Sequence, residues 1–171
     1  QNTSAGNSAS SDVVATANNG TESINYVDMG INSSTYSNTS LPIVGGINNA
    51  YLYSTGNDLI IGNATATKNL RFFTGGTANS NERMRINGNG NLAIGTTTFD
   101  ATNPEKLLID AGTTSSFNLI KAKGSIDNYL QFNIQNTSAG TTASSDLVAT
   151  ANNGTESINY IDMGINSSTY S

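Results

Sequence analysis

Residues 81–97 read NERMRINGNGNLAIGTT and carry the clearest structural signal in the chain. Two stretches, ERMRI and NLAIG, flank the run Asn87-Gly88-Asn89-Gly90, and in each of them the large apolar residues fall at every second position. Alternation with a period of two is typical of β-strands, and Asn-Gly pairs favour the tight turns that join antiparallel strands. The pattern therefore predicts a β-hairpin between residues 82–87 and 91–95, with its turn at Asn87-Gly88 or at Asn89-Gly90.

Similar short segments recur on both sides of this hairpin. No window sustains the apolar spacing of a helix, and strong helix formers are sparse, so we expect an all-β chain. The predicted strands are residues 12–17, 23–31, 51–53, 58–61, 70–74, 82–87, 91–95, 106–111, 117–122, 129–135, 146–151 and 157–165. Two further hairpin turns are predicted at Asn18-Asn19-Gly20 and at Asn152-Asn153-Gly154.

The first 37 residues return almost unchanged at residues 135–171. The two copies differ at four positions, which are Asn7/Thr141, Ser8/Thr142, Val13/Leu147 and Val27/Ile161. We therefore divide the chain into one full tandem repeat, residues 1–134, and the start of the next repeat, residues 135–171. Since the sequence has neither an initiating Met nor a signal peptide, we interpret it as a segment of a longer tandem array.

Some predicted strands are apolar on both faces, among them residues 51–53, 59–61 and 107–109. A single sheet shelters only one face of a strand, so these segments require a second layer. The supply of apolar residues is modest for a compact repeat, which favours burial between chains. We expect an elongated tandem-repeat β fibre of short strands and tight turns, assembled as an intertwined homotrimer. β-Sandwich repeats are the alternative.

Composition excludes several classes of function. Asn, Thr, Ser and Gly make up half of the 171 residues, whereas Cys, His and Trp are absent. Disulfides, thiolate chemistry and imidazole chemistry are therefore excluded. The net charge is −5 and the seven Lys and Arg are scattered, so we expect no nucleic-acid partner. No apolar run approaches the roughly 20 residues of a membrane span, and we expect no membrane partner.

No motif carries chemistry strongly enough to assign a site. We assign no catalytic, cofactor-binding or metal-binding residue and expect no enzymatic activity and no cofactor. Residues 88–95 superficially resemble a phosphate loop, but a strand follows where a helix should begin, so a turn is favoured. Three minor alternatives stay open: a calcium ion in a turn, glycans on the Asn-x-Ser/Thr triplets, and hydrolysis by paired carboxylates. The acidic residues are Asp12, Glu22, Asp28, Asp58, Glu82, Asp100, Glu105, Asp110, Asp127, Asp146, Glu156 and Asp162.

The hairpin sequence, with its pattern ERMRI followed by GN-x-x-IGTT, resembles segments of bacteriophage tail-fibre proteins and related surface-fibre proteins. Residues 51–76 and 10–34 resemble the same class. The resemblance implies an elongated, β-rich, usually homotrimeric shaft, and it offers no catalytic residues to transfer.

We therefore expect the structural shaft of an extracellular fibre, most simply a phage tail fibre on the virion surface. The expected partners are sister chains, together with a host glycan or receptor that is bound through a distal part. The alternative is a bacterial surface adhesin or filament built of β-sandwich repeats, which would itself bind glycans.

Strand alternation assigns faces within the hairpin. Glu82, Met84 and Ile86 are expected on one face, and Arg83 and Arg85 on the other. In a trimer, either arginine would meet an acidic residue of a neighbouring chain. The alternative is a pair of solvated arginines, because exposed ion pairs contribute little.

Overall fold

A computed structural model describes residues 1–155 and 157–171 of the chain. The described part is all-β, as predicted, and divides into two compact units, Gln1–Ser115 and Ser116–Ser171. Its strands are β1 (Ser10–Thr21), β2 (Ile24–Asn32), β3 (Ala50–Thr55), β4 (Leu70–Phe73), β5 (Glu82–Ile86), β6 (Leu92–Ile94), β7 (Leu107–Ile109), β8 (Ser144–Thr155) and β9 (Ile158–Asn166). A single 3₁₀ turn at Asn79–Asn81 is the only helical element in the described part.

The first unit contains two sheets. In the first sheet, β1, β2 and β3 are neighbours in that order and all antiparallel. In the second sheet, the order is β4-β5-β6-β7, and only the β6–β7 pair is parallel. The second unit contains the antiparallel pair β8–β9, which repeats the pairing of β1 with β2.

The register of the first sheet separates its residues into two chemically different faces. Val13 lies opposite Met29, which in turn lies opposite Leu52, and these side chains share one face. We call this the apolar face; its members are Val13, Ala15, Val27, Met29, Ile31, Ala50 and Leu52. The other face, the tyrosine face, carries Ser10, Asp12, Val14, Tyr26, Asp28, Gly30, Tyr51 and Tyr53.

The hairpin between β5 and β6 is confirmed. Met84 pairs with Ile94 and Ile86 with Leu92, while the Asn87 amide donates to the carbonyl of Asn91 at 2.9 Å. Gly90 adopts a positive φ of +76°, which a residue without Cβ accepts easily. The turn residues therefore determine this pairing locally.

The predicted turn at Asn18-Asn19-Gly20 is wrong, because β1 continues through it. The chain reverses after Thr21, which pairs with Ile24, and the register shifts between Thr16 and Thr21. Asn25 takes a left-handed φ of 54°, and a Cβ on Gly20 would lie 2.6 Å from the Asn25 carbonyl oxygen. Gly20 is thus required by a close approach within a bulge. The corresponding prediction at residues 152–154 is wrong for the same reason, since β8 contains them.

Three further predicted strands, residues 58–61, 117–122 and 129–135, are not strands in the structure. Their apolar side chains are exposed; Ile60 retains 90% of its accessible surface and Phe132 retains 82%. A strand needs a neighbouring strand for its backbone groups, and the described part of the chain supplies none to these segments. The alternation in residues 129–135 therefore lacks its expected partner.

Candidate functional site

The feature of the first sheet that calls for an explanation is its apolar face, because nothing in the described chain covers it. Val13 is 66% exposed, and Met29, Ile31 and Leu52 retain about half of their surface. Within the described residues, the buried apolar side chains are those of Tyr36 and Ala93. The first sheet therefore presents its large apolar side chains to solvent.

The second copy of the repeat presents the same face. Leu147 and Met163 lie opposite each other, as do Ala149 and Ile161. Ile161, Met163 and Ile165 are each about 70% exposed. An uncovered apolar face is thus a property of the repeat in both units.

Two of the four differences between the copies fall on this face. Val13 and Val27 are diagonal neighbours there, and their counterparts Leu147 and Ile161 are each one methylene larger. Both changes keep the face apolar and increase its volume. A surface that served only to meet water would not require apolar side chains at these positions.

The accessible surface of the whole chain is large for its mass. It measures 13696 Å² for 17.7 kDa. The scaling of compact monomers gives about 8,000 Å² for this mass. Large apolar side chains that are more than half exposed, among them Val13, Ile60 and Phe132, contribute to this surface.

The tyrosine face is held by side-chain hydrogen bonds. The hydroxyl of Tyr51 donates to Asp12, which also accepts a bond of 2.6 Å from the Ser10 hydroxyl. The hydroxyls of Tyr26 and Tyr53 lie 3.1 Å apart, and their rings meet edge to face with centroids 5.9 Å apart. This face is mostly polar, with Asp28 buried and Tyr26, Tyr51 and Tyr53 half-buried.

Burial changes the ionisation of groups on the tyrosine face. It raises the pKa of Asp28 above 3.8, and the nearby charge of Asp12 adds to the effect. Burial, together with donation to Asp12, also raises the pKa of Tyr51 to about 12. The hydrogen bond with Tyr26, followed by burial, raises the pKa of Tyr53. Tyr51 and Tyr53 therefore stay protonated at neutral pH, and Tyr51 donates to Asp12.

The second sheet contains a cluster of three charged side chains. Glu82 has a side-chain exposure of only 3% and accepts hydrogen bonds from both Arg71 and Arg85. These bonds, first that from Arg85, lower the pKa of the Glu82 carboxyl below 4.5 despite its burial. Because Arg71 and Arg85 are directly opposite each other, the carboxylate also separates two like charges.

The predicted face of Glu82 is therefore wrong. Phe72 pairs with Met84 but Phe73 pairs with Glu82, so Arg83 is an extra residue in β5. This bulge turns Glu82 to the side of Arg85. Arg85 thus finds its acidic partner within its own chain, and Arg83 donates to the Thr74 carbonyl at 3.2 Å.

Two features are absent from the described part of the chain. It contains no group of three or more His, Cys, Asp or Glu side chains placed to hold a metal ion. It also contains no helix that is long and apolar enough to cross a membrane.

Comparisons of the chain with family models and with curated proteins found no match.

Proposed function

We propose that the chain is part of the structural shaft of an extracellular fibre, assembled as a homotrimer. The observation that carries the proposal is the apolar face, which is uncovered in both copies of the repeat. Burial of a half-exposed Val, Ile, Leu or Met side chain stabilises an assembly by about 1 kcal/mol. Three sister chains that bring these faces together would cover them and leave the tyrosine faces in water.

The composition supports the same role. Abundant Asn, Ser and Thr keep a surface hydrated without charge, and a repeat of 134 residues sets length by copy number. The resemblance of residues 81–97 to tail-fibre segments supports a phage tail fibre and a place on the virion surface. A host glycan or receptor would then be bound by a distal part of the fibre.

The decisive measurement is the solution mass, obtained by sedimentation or light scattering. We expect about three times 17.7 kDa. A monomer would overturn the shaft and favour the adhesin built of β-sandwich repeats.

A pair of variants tests which face makes the interface. Val13 and Val14 are adjacent in β1, are both about half or more exposed, and point to opposite faces. Their counterparts are Leu147 and Val148. We expect the double variant Val13→Lys/Leu147→Lys to lose the trimer, because it places charges on the apolar face. The control Val14→Lys/Val148→Lys should keep the trimer, and equal behaviour of the two variants would contradict the proposed interface.

A further inference from the structure

Residues 129–135 read YLQFNIQ and have the alternation of a strand without being one. The side chains of Leu130, Phe132 and Ile134 are 67%, 82% and 44% exposed. The least exposed of the three, Ile134, is also the closest to β8 along the chain. Apolar side chains at every second position are typical of a strand with one buried face. Residues 129–135 thus have the sequence pattern of a β-strand, but they pair with no strand among the described residues.

The chain already returns beside β8 immediately after this segment. The Asn136 amide donates to the Ser145 hydroxyl at 2.7 Å, and the Asn136 side chain donates to the Ser144 carbonyl at 2.9 Å. Asn2 makes the same two bonds to Ser11 and Ser10 in the first copy. The loop between Asn136 and Ser144 is therefore closed by the same bonds in both copies of the repeat. A strand that entered this loop at residues 129–135 would run antiparallel to β8.

The edge of β8 away from β9 is available for such a strand. Within the described residues, β8 pairs only with β9. A two-stranded sheet is marginally stable in water, and every residue of β9 is exposed. A third strand would supply the backbone partners that the outer edge of β8 lacks.

The side-chain pattern selects one register. With Asn136 opposite Ser145, Ile134 lies opposite Leu147 and Phe132 lies opposite Ala149, so all four side chains fall on the apolar face. A shift by one residue would place Ile134 and Phe132 on the polar face instead. Ile134 and Ile165 line one shallow cavity of the second unit together with Asn133, so residues 133 and 134 lie near the end of the β8–β9 pair.

We propose that residues 129–135 add as an antiparallel strand to the outer edge of β8 of the same chain and extend its apolar face. The added strand enlarges the surface through which sister chains would be held. The inference rests on the proposed function in one respect, namely that sister chains cover the apolar face. The register of residues 129–135 against β8 does not depend on the number of chains.

Engineered cysteines test the register directly, since the natural chain has no Cys. In the proposed register Asn133 lies opposite Val148, and opposite residues on one face lie close enough for a disulfide. We expect Asn133→Cys/Val148→Cys to form a bridge within one chain, seen as a loss of 2 Da and of thiol reactivity. The control Asn133→Cys/Leu147→Cys directs the two thiols to opposite faces and should stay reduced.

Each outcome is decisive for the strand. Absence of the bridge, equal bridging in the control, or bridges between chains on a denaturing gel would overturn the pairing. Hydrogen exchange on the unsubstituted protein provides a second measurement, in which the amides of residues 130–134 should exchange at least about tenfold more slowly than in an unstructured peptide. Exchange at the unstructured rate would equally overturn it. The mass of the same sample separately decides the proposed trimer.

Discussion

At the scale of single residues, the buried carboxylate of Glu82 determines how β4 and β5 come together. Arg71 and Arg85 are cross-strand neighbours, and two positive charges in that position repel. Glu82 reaches both because the bulge at Arg83 places it on their face. One acidic side chain thus converts a repulsive pair into a cluster that holds two strands.

The substitution Glu82→Gln removes this negative charge while keeping the shape of the side chain. We expect a loss of about 1–3 kcal/mol in the free energy of unfolding, because two arginines then face each other without a counter-ion. Chemical denaturation measures the change. Glu22→Gln, at an exposed position, is the matched control and should change stability by less than about 0.5 kcal/mol. Equal effects of the two substitutions would contradict a structural role for the cluster.

Asp28 is the opposite case, an acid that is buried without full compensation. One of its carboxylate oxygens has no hydrogen-bond partner within the described residues, and the pKa of Asp28 is raised. A raised pKa means that the folded chain favours the protonated form. The stability this contributes is present below pH 3.8 and is lost as pH rises through the folded pKa.

The neutral substitution Asp28→Asn should therefore make the protein more stable than the natural chain at pH 7. The advantage should shrink as pH falls through the folded pKa of Asp28, where the natural side chain itself becomes neutral. Thermal unfolding between pH 3 and pH 7 tests this. A constant difference, or a natural chain that is more stable at pH 7, would contradict the burial of a charged carboxylate.

At the scale of elements, the second sheet depends on the close approach of the chain after β6 to the chain after β7. The Asp110 amide donates to the Ile94 carbonyl at 3.0 Å, next to Gly95, whose φ is +80°. A Cβ on Gly95 would overlap the Asp110 carbonyl oxygen, whereas one on Gly90, with φ +76°, would meet nothing within 4 Å. The two glycines therefore share a backbone conformation but differ in surroundings.

The paired substitutions Gly95→Ala and Gly90→Ala separate these two effects. Each places a Cβ in the left-handed region, which costs about 1 kcal/mol. Gly95→Ala should cost at least about 1 kcal/mol more, because the backbone of residue 110 must move and the β6–β7 pairing weakens. Denaturant unfolding of both variants gives the comparison. Equal losses would show that the approach at Gly95 is not tight.

At the scale of the whole molecule, the main feature is that many large apolar side chains are exposed to solvent. The chain has 13696 Å² of accessible surface, well above the value of about 8,000 Å² for a compact monomer of its mass. Exposed apolar side chains of the repeated hairpin and of residues 117–134 contribute to this surface. Cover from sister chains is the physical role that we propose for this surface.

An assembly that is stabilised by this cover unfolds in a concentration-dependent way. We expect Tm to rise as the protein concentration is increased over about two orders of magnitude, by mass action. Calorimetry at several concentrations measures it. A Tm that does not change with concentration would contradict stabilisation by association.

The sequence alone determined the β class and the hairpin at residues 82–95. Alternation and Asn-Gly turns act over a few residues, so these features can be derived without the rest of the chain. The near-identity of residues 1–37 and 135–171 likewise predicted that β8 and β9 copy the pairing of β1 and β2.

Only the tertiary structure decided where the β-bulges lie, which face of a strand each side chain occupies, and which segments pair with each other. The extra residue Arg83 turned Glu82 to the other face of β5. The bulge before Thr21 placed the turn after residues 18–20, where it was predicted. Both depend on register, and the register of a strand is set together with the strand opposite it. Residues 58–61 and 117–122 have strand-like sequences but no partner in the described part of the chain. Side-chain pattern is a local property, whereas backbone pairing and burial depend on distant residues that the local sequence does not specify.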